Sequence, residues 1–124
     1  MRQDLRLDEA DKRLFVGCRL PARPVLLNTD SGQVVAKLPI VGDTDDVFFD
    51  PTGRLVYVIG GAGAVDLFRM HDPNHYEHVG RTKTATGART GLFVSSLDRL
   101  FIAAPHRGSQ AAKLLVYRLA ESVR

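Results

Sequence analysis

Three features of this 124-residue sequence predict an all-β fold built from small antiparallel sheets. A four-residue string recurs: Arg13-Leu14-Phe15-Val16 returns as Arg54-Leu55-Val56-Tyr57 and again as Arg99-Leu100-Phe101-Ile102, at spacings of 41 and 45 residues by subtraction. The apolar runs are short and rich in Val, Ile, Phe and Tyr, the residues that suit a pleated surface. Turn clusters such as Asn28-Thr29-Asp30-Ser31-Gly32 and Asp50-Pro51-Thr52-Gly53 separate them. Periods of about 40 to 50 residues belong to propellers or helical solenoids, and strand-like composition selects the propeller. The sequence therefore reads as a partial β-propeller of about three blades, occupying residues 5–38, 47–83 and 92–119 of a single domain.

The middle repeat sets the pattern. Val47-Phe48-Phe49 is a short first strand, Leu55 to Ile59 the second, Ala64 to Met70 the third and Glu77 to Lys83 the fourth. The second strand is apolar at every position, whereas a sheet with one wet face alternates apolar and polar residues. A blade stacked between two others has both faces covered, so the continuous run argues for face-to-face stacking. The first blade reads as Leu5–Leu7, Arg13–Cys18, Val25–Asn28 and Gln33–Leu38. The third reads as Leu92–Val94, Leu100–Ala104 and Leu114–Leu119, three strands instead of four.

Composition narrows the class. Hydrophobic residues make up 44% of the chain and charged residues 25%, enough apolar surface to offset the entropy of folding. The net charge is +3, but the 17 Lys and Arg are scattered among 14 Asp and Glu, without the basic stripe of a nucleic-acid binder. With one cysteine, Cys18, no internal disulfide is available, and nothing around that thiol supplies an activating base. Met1–Asp11 is polar and lacks the apolar centre of a signal peptide. The apolar stretch Leu55–Val65 is broken by glycines and too short to cross a bilayer. Read literally, this places the chain in the cytoplasm, uninserted in membrane; a piece of an exported protein would belong in the periplasm.

Four strings carry a resemblance: Arg13-Leu14-Phe15-Val16-Gly17-Cys18-Arg19, Ile40-Val41-Gly42-Asp43-Thr44-Asp45-Asp46, Gly87-Ala88-Arg89-Thr90 and Pro105-His106-Arg107-Gly108. Together, within Asp8 to Leu119, they resemble the C-terminal blades of bacterial YVTN-repeat propellers. The resemblance implies the fold, and a ring of about seven blades of which about three are present here. It implies little about activity, since most such proteins are uncharacterised surface or periplasmic scaffolds.

Blade connectivity sorts the loops onto two ends. One end collects residues 19–23, 43–46, 60–63, 84–90 and 106–110; the other collects ordinary turns. At the first end, Arg19, Arg89, His106 and Arg107 converge with Asp45 and Asp46 near the channel mouth. The arginines suit carboxylate or phosphate, whose oxygens match the guanidinium fork. A small anionic ligand or a protein partner is thus expected there; the plainer reading is that these side chains cap loops and pair with one another. Asp43-Thr44-Asp45-Asp46 gathers carboxylates but lacks the spaced ligands and final Glu of a calcium loop, so it reads as a turn. His71, His75 and His78 match no zinc spacing and read as solvated loop residues. Gly60-Gly61-Ala62-Gly63 lies between strands with no helix start to hold phosphate, and reads as a flexible hairpin. No nucleophile motif, paired catalytic carboxylates or cofactor motif is present, so no cofactor or resident metal is expected.

The expected function is a non-catalytic binding or scaffold module that closes its ring by self-association, most simply as a homodimer. The exposed end faces should carry Leu14, Val16, Leu100 and Ile102. The alternative is a lactonase-like propeller hydrolase with a metal at the channel mouth, using Asp45, Asp46 and His106.

Overall fold

The computed structural model describes residues 3–19, 22–38 and 44–118. Eleven strands form three antiparallel sheets among these residues, with no helix. The first sheet is β1 (Gln3–Asp8), β2 (Arg13–Arg19), β3 (Ala22–Asn28) and β4 (Val34–Lys37), in that spatial order. The second is β5 (Asp46–Asp50), β6 (Leu55–Gly60), β7 (Ala64–Asp72) and β8 (His75–Lys83). The third is β9 (Thr90–Val94), β10 (Arg99–Ala104) and β11 (Lys113–Arg118). Each sheet is a meander, and the first strands β1, β5 and β9 stand side by side at the inner edge. This is the expected blade architecture, with three strands described in the third sheet.

The sheets stack through two apolar seams, and β6 supplies both. Its Val56 and Val58 point into the first seam with Phe15 and Leu26 of the first sheet and Phe68 of the second. Leu55, Tyr57 and Ile59 point into the second seam with Leu100, Ile102 and Ala104. Alternate side chains of a strand point to opposite faces, so an uninterrupted apolar strand serves two neighbours at once. Stacked ring pairs fasten each seam: Phe15 on Phe49 at 5.4 Å between ring centres, Tyr57 on Phe93 at 5.0 Å.

The first hairpin of every blade turns alike. Asp8 pairs with Arg13, Asp50 with Leu55, and Val94 with Arg99, each across a four-residue turn. The last turn residue has positive φ in all three blades: Lys12 at 55°, Arg54 at 54° and Asp98 at 54°. Lys12, Arg54 and Asp98 are therefore equivalent positions, and the structural repeat is 42 and 44 residues by subtraction. The recurring Arg-Leu string is out of step with it by one residue in the middle blade. Leu14 corresponds to Val56 and Leu100, not to Leu55. In a strand, one residue of slip moves every side chain to the other face.

Equivalent residues face the same way in every blade, so the side left open in the first sheet is covered in the third, which corrects the expected end faces. Leu100 and Ile102 are buried in the second seam. The open face of the third sheet instead holds Phe101, between Leu92 and Val116, with Leu114 beside Ala103. Leu92, Leu114 and Val116 are all more than half exposed. The open face of the first sheet holds Leu14 and Val16 as expected. Cross-strand rows add Leu7, Leu27 and Val34 beside Leu14, and Leu5 and Val25 beside Val16.

Candidate functional site

The loop end is organised around Asp45. Its carboxylate is wholly buried; Oδ2 accepts a hydrogen bond from the Gly61 backbone N–H at 2.7 Å and from Arg89 Nη1 at 2.9 Å. The Asp45 N–H donates to Ile59 O, holding the residue beside the end of β6. A Cβ at Gly61 would run into the Arg89 guanidinium and the Asp45 carboxylate, so a side chain here would have to push the ion pair aside. From Gly61 the network continues: its carbonyl accepts the Gly87 N–H at 2.8 Å, and Gly63 O accepts the Thr84 N–H at 2.8 Å. The 60–63 loop is therefore pinned between β5 and the 84–89 connection, and its expected role as a flexible hairpin gives way to that of a packed junction.

The third blade adds its own loop. Arg107 and Gln110 exchange backbone hydrogen bonds, closing a tight turn. Gln110 Nε2 donates to Pro105 O at 2.9 Å and reaches Thr86 O at 3.4 Å. Arg107 lies against Gly87, close enough that a Cβ there would stand 3.4 Å from its Nη1. Asp45, Arg89 and Arg107 thus share one end through a continuous set of loop contacts. His106 and Arg107 are exposed beside it. Asp46 turns elsewhere: Oδ1 accepts its neighbour Val47 N–H and lies 3.6 Å from Arg6 Nη2 on the adjacent inner strand. The Arg6 guanidinium also covers the Phe48 ring at 4.5 Å. Arg19 closes β2, and its side chain lies outside what is described; Asp43 lies outside the described residues.

The three clustered histidines do not converge. His71 pairs with Glu77 at 2.8 Å, His75 with Asp72 at 2.6 Å, and His78 with Asp66 at 2.8 Å. Among the described residues no three His, Cys, Asp or Glu side chains stand close enough to hold a metal together. Asp72 is held below the usual carboxylate range by the Asn74 backbone N–H first and His75 second. Sequence reasoning missed the cluster at Asp66, a buried carboxylate gripped at both oxygens by Arg81 (2.7 and 3.2 Å) as well as by His78. Its signal was available: Asp66 interrupts the apolar third strand and sits directly across from Arg81. A mainly apolar groove of about 230 Å³ runs beside β11, lined by Tyr57, Leu67, Val79, Phe93 and Tyr117. Tyr117 reaches across it to donate to Lys83 O at 3.1 Å.

No helix among the described residues is long and apolar enough to cross a membrane. No family model and no curated protein matches the sequence. Solved structures do match by shape. Hydrazine synthase from Kuenenia stuttgartiensis superposes with a TM-score of 0.81 at 15% identity, over 95% of this chain and 34% of that one. A provisionally named 6-phosphogluconolactonase from Bacteroides uniformis superposes with a TM-score of 0.71 at 17% identity, over 95% of this chain and 37% of that one. Both matched folds are β-propellers, and this chain, spanning about a third of each, has the fold of part of a β-propeller.

Proposed function

We propose that this chain is a non-catalytic β-propeller scaffold or binding module, related to the YVTN-repeat kind, that completes a closed ring by pairing with a second copy. The observation that carries the reading is the pair of open apolar faces. Leu5, Leu7 and Val34 on one end sheet, and Leu92, Leu114 and Val116 on the other, are each more than half exposed. Apolar patches of this extent are unusual on a soluble monomer and mark interfaces. Burying them yields roughly 25 cal/mol per Å² before the costs of association. Propellers close with about four to eight blades. Two chains of three sheets supply six, the first sheet of each meeting the third sheet of the other. A ring of that kind brings two copies of the loop end around one channel, and Arg19, Arg89, His106 and Arg107 then suit a small anionic ligand or an acidic protein segment.

A lactonase-like hydrolase with a metal at the channel mouth is less well supported by the geometry. Asp45 Oδ2 is committed to an arginine and a backbone N–H, and Asp46 faces Arg6. A metal there would have to displace both cations from its ligands. Light scattering at tens of micromolar decides the main reading: a mass of two chains is expected, and a clean monomer overturns it. Stoichiometric metal in protein purified without chelator would restore the hydrolase.

A further inference from the structure

We propose that Arg99 is the head-to-tail clamp of the ring, gripping the β3–β4 hairpin of a second copy; the inference rests on the ring reading above and assigns its recognition element. The argument starts from Arg13, which occupies the same place in the first blade. Each is the first residue of its blade's second strand, directly after the positive-φ turn residue. Both anchor themselves the same way. Arg13 Nη1 donates to the carbonyls of Asp11 and Lys12 at 3.3 and 3.1 Å. Arg99 Nη1 donates to the carbonyls of Leu97 and Asp98 at 3.0 and 3.1 Å, again one and two residues back.

With Nη1 tied down, the rest of the Arg13 guanidinium reaches the next sheet. Nε donates to Pro73 O at 2.9 Å and Nη2 to Asn74 Oδ1 at 2.5 Å, the two turn residues between β7 and β8. Arg13 is buried by this contact, at 8% exposure. It thereby locks the first sheet to the outer hairpin of the second, at the rim of the seam. Arg99 shares its strand face with Phe101 and Ala103, which is the open face of the third sheet. Among the described residues no acceptor meets its Nε or Nη2, and the side chain is only half-buried. The clamp is built, and among the described residues no hairpin stands against it.

In the middle blade the equivalent residue is Leu55, which is buried in the second seam against the third sheet. The ring geometry brings the first sheet of a second copy against the third sheet, and its residues 29–33 fill the place that Pro73 and Asn74 fill against Arg13. That hairpin suits a cation. Asp30 at its tip is exposed, its carboxylate 2.9 Å from Lys12 Nζ. A guanidinium held by its own turn, with two donors left to share, matches a turn that offers carbonyls and a carboxylate.

The test is the dimer dissociation constant, measured by sedimentation on dilution for the unaltered chain, R99A and R99K, with circular dichroism melts of each. R99A should weaken the dimer tenfold or more. R99K, which keeps the charge but not the fork, should recover only part of the loss and keeps the comparison open if R99A folds poorly. A dimer as tight in both variants as in the unaltered chain overturns the clamp and leaves the ring standing. An unaltered chain that is monomeric overturns the ring, and the clamp with it.

Discussion

Arg89 Nη1 lies 2.9 Å from Oδ2 of a fully buried Asp45, tying the connection into the third blade to the first strand of the second. Removing the arginine takes away the cation that balances a buried carboxylate. Because Arg89 itself is 37% exposed, solvent softens the loss. R89A is expected to lower unfolding stability by about 2 kcal/mol in urea titration. D45N keeps an acceptor for Gly61 and should cost less. The double variant should be more stable than the sum of the two losses predicts, because the stranded charge is gone.

Two glycines in strands should respond very unequally to the same added methyl group. At Gly91 a Cβ would stand 2.6 Å from Ile59 Cδ1 and 2.7 Å from the Phe101 carbonyl, inside the second seam. The carbonyl belongs to the ladder and cannot yield, so G91A should cost about 1–3 kcal/mol. Gly80 on β8 has no atom within 4 Å of its Cβ position, and G80A should change stability by less than about 0.5 kcal/mol. Parallel thermal melts check both.

Alkaline unfolding should be steep and should depend on Tyr76. Burial first, and then the nearby Asp8 carboxylate, push its hydroxyl well above the ordinary value of 10.0. The folded chain keeps a proton that the unfolded chain loses near pH 10, so stability is whole below that pH and falls as pH rises past it. Y76F forfeits the hydrogen bond to Pro73 O and should cost about 1 kcal/mol at neutral pH. Its stability should decline less than that of the unaltered chain between pH 10 and 11.5, followed by urea midpoints at each pH.

Asp8 predicts the opposite kind of result, a stabilising substitution. Its carboxyl is raised above 3.8, chiefly by burial, against the lowering effect of the Asp11 backbone N–H. The folded chain therefore binds this proton more tightly than the unfolded chain, and its charge costs stability once pH rises through and beyond that range. D8N keeps an oxygen for the Asp11 N–H and removes the charge. It should unfold at higher temperature than the unaltered chain at pH 7, with the advantage shrinking below pH 4. An unchanged or lower melting temperature at pH 7 would contradict this account.

The fold was legible because its two strongest signals are physical necessities. Turn residues must break the ladder, and a strand buried on both sides must be apolar throughout, as Leu55 to Ile59 are. Parity was not legible. The string Arg54-Leu55 imitates Arg13-Leu14, but Arg54 is a turn residue with positive φ, and only backbone geometry separates the two. Leu100 and Ile102 were misplaced for a different reason: they match Leu14 and Val16 and face the same way round the stack, which is outward in the first blade and into the second seam in the third. At the loop end, connectivity was enough to bring Asp45, Arg89 and Arg107 to one place. The partnership of Asp45 with Arg89 was not, because a separation of 44 positions carries no local pattern that records it. The buried Asp66 escaped notice for a related reason: its partners His78 and Arg81 lie on the next strand, where they read as ordinary solvent-facing residues.

Because β6 lends alternate side chains to both seams, the two seams should melt together. Opening the first seam bares Val56 and Val58, and the strand that carries them is also the wall against which Leu100 and Ile102 rest. Repeat proteins often fray from their ends, one unit at a time. Here the middle unit is the shared element, so loss of β6 ends the structure in one event. Amide hydrogens of Val56, Val58 and Ile59 should exchange with solvent together and last, at a common free energy equal to that of global unfolding.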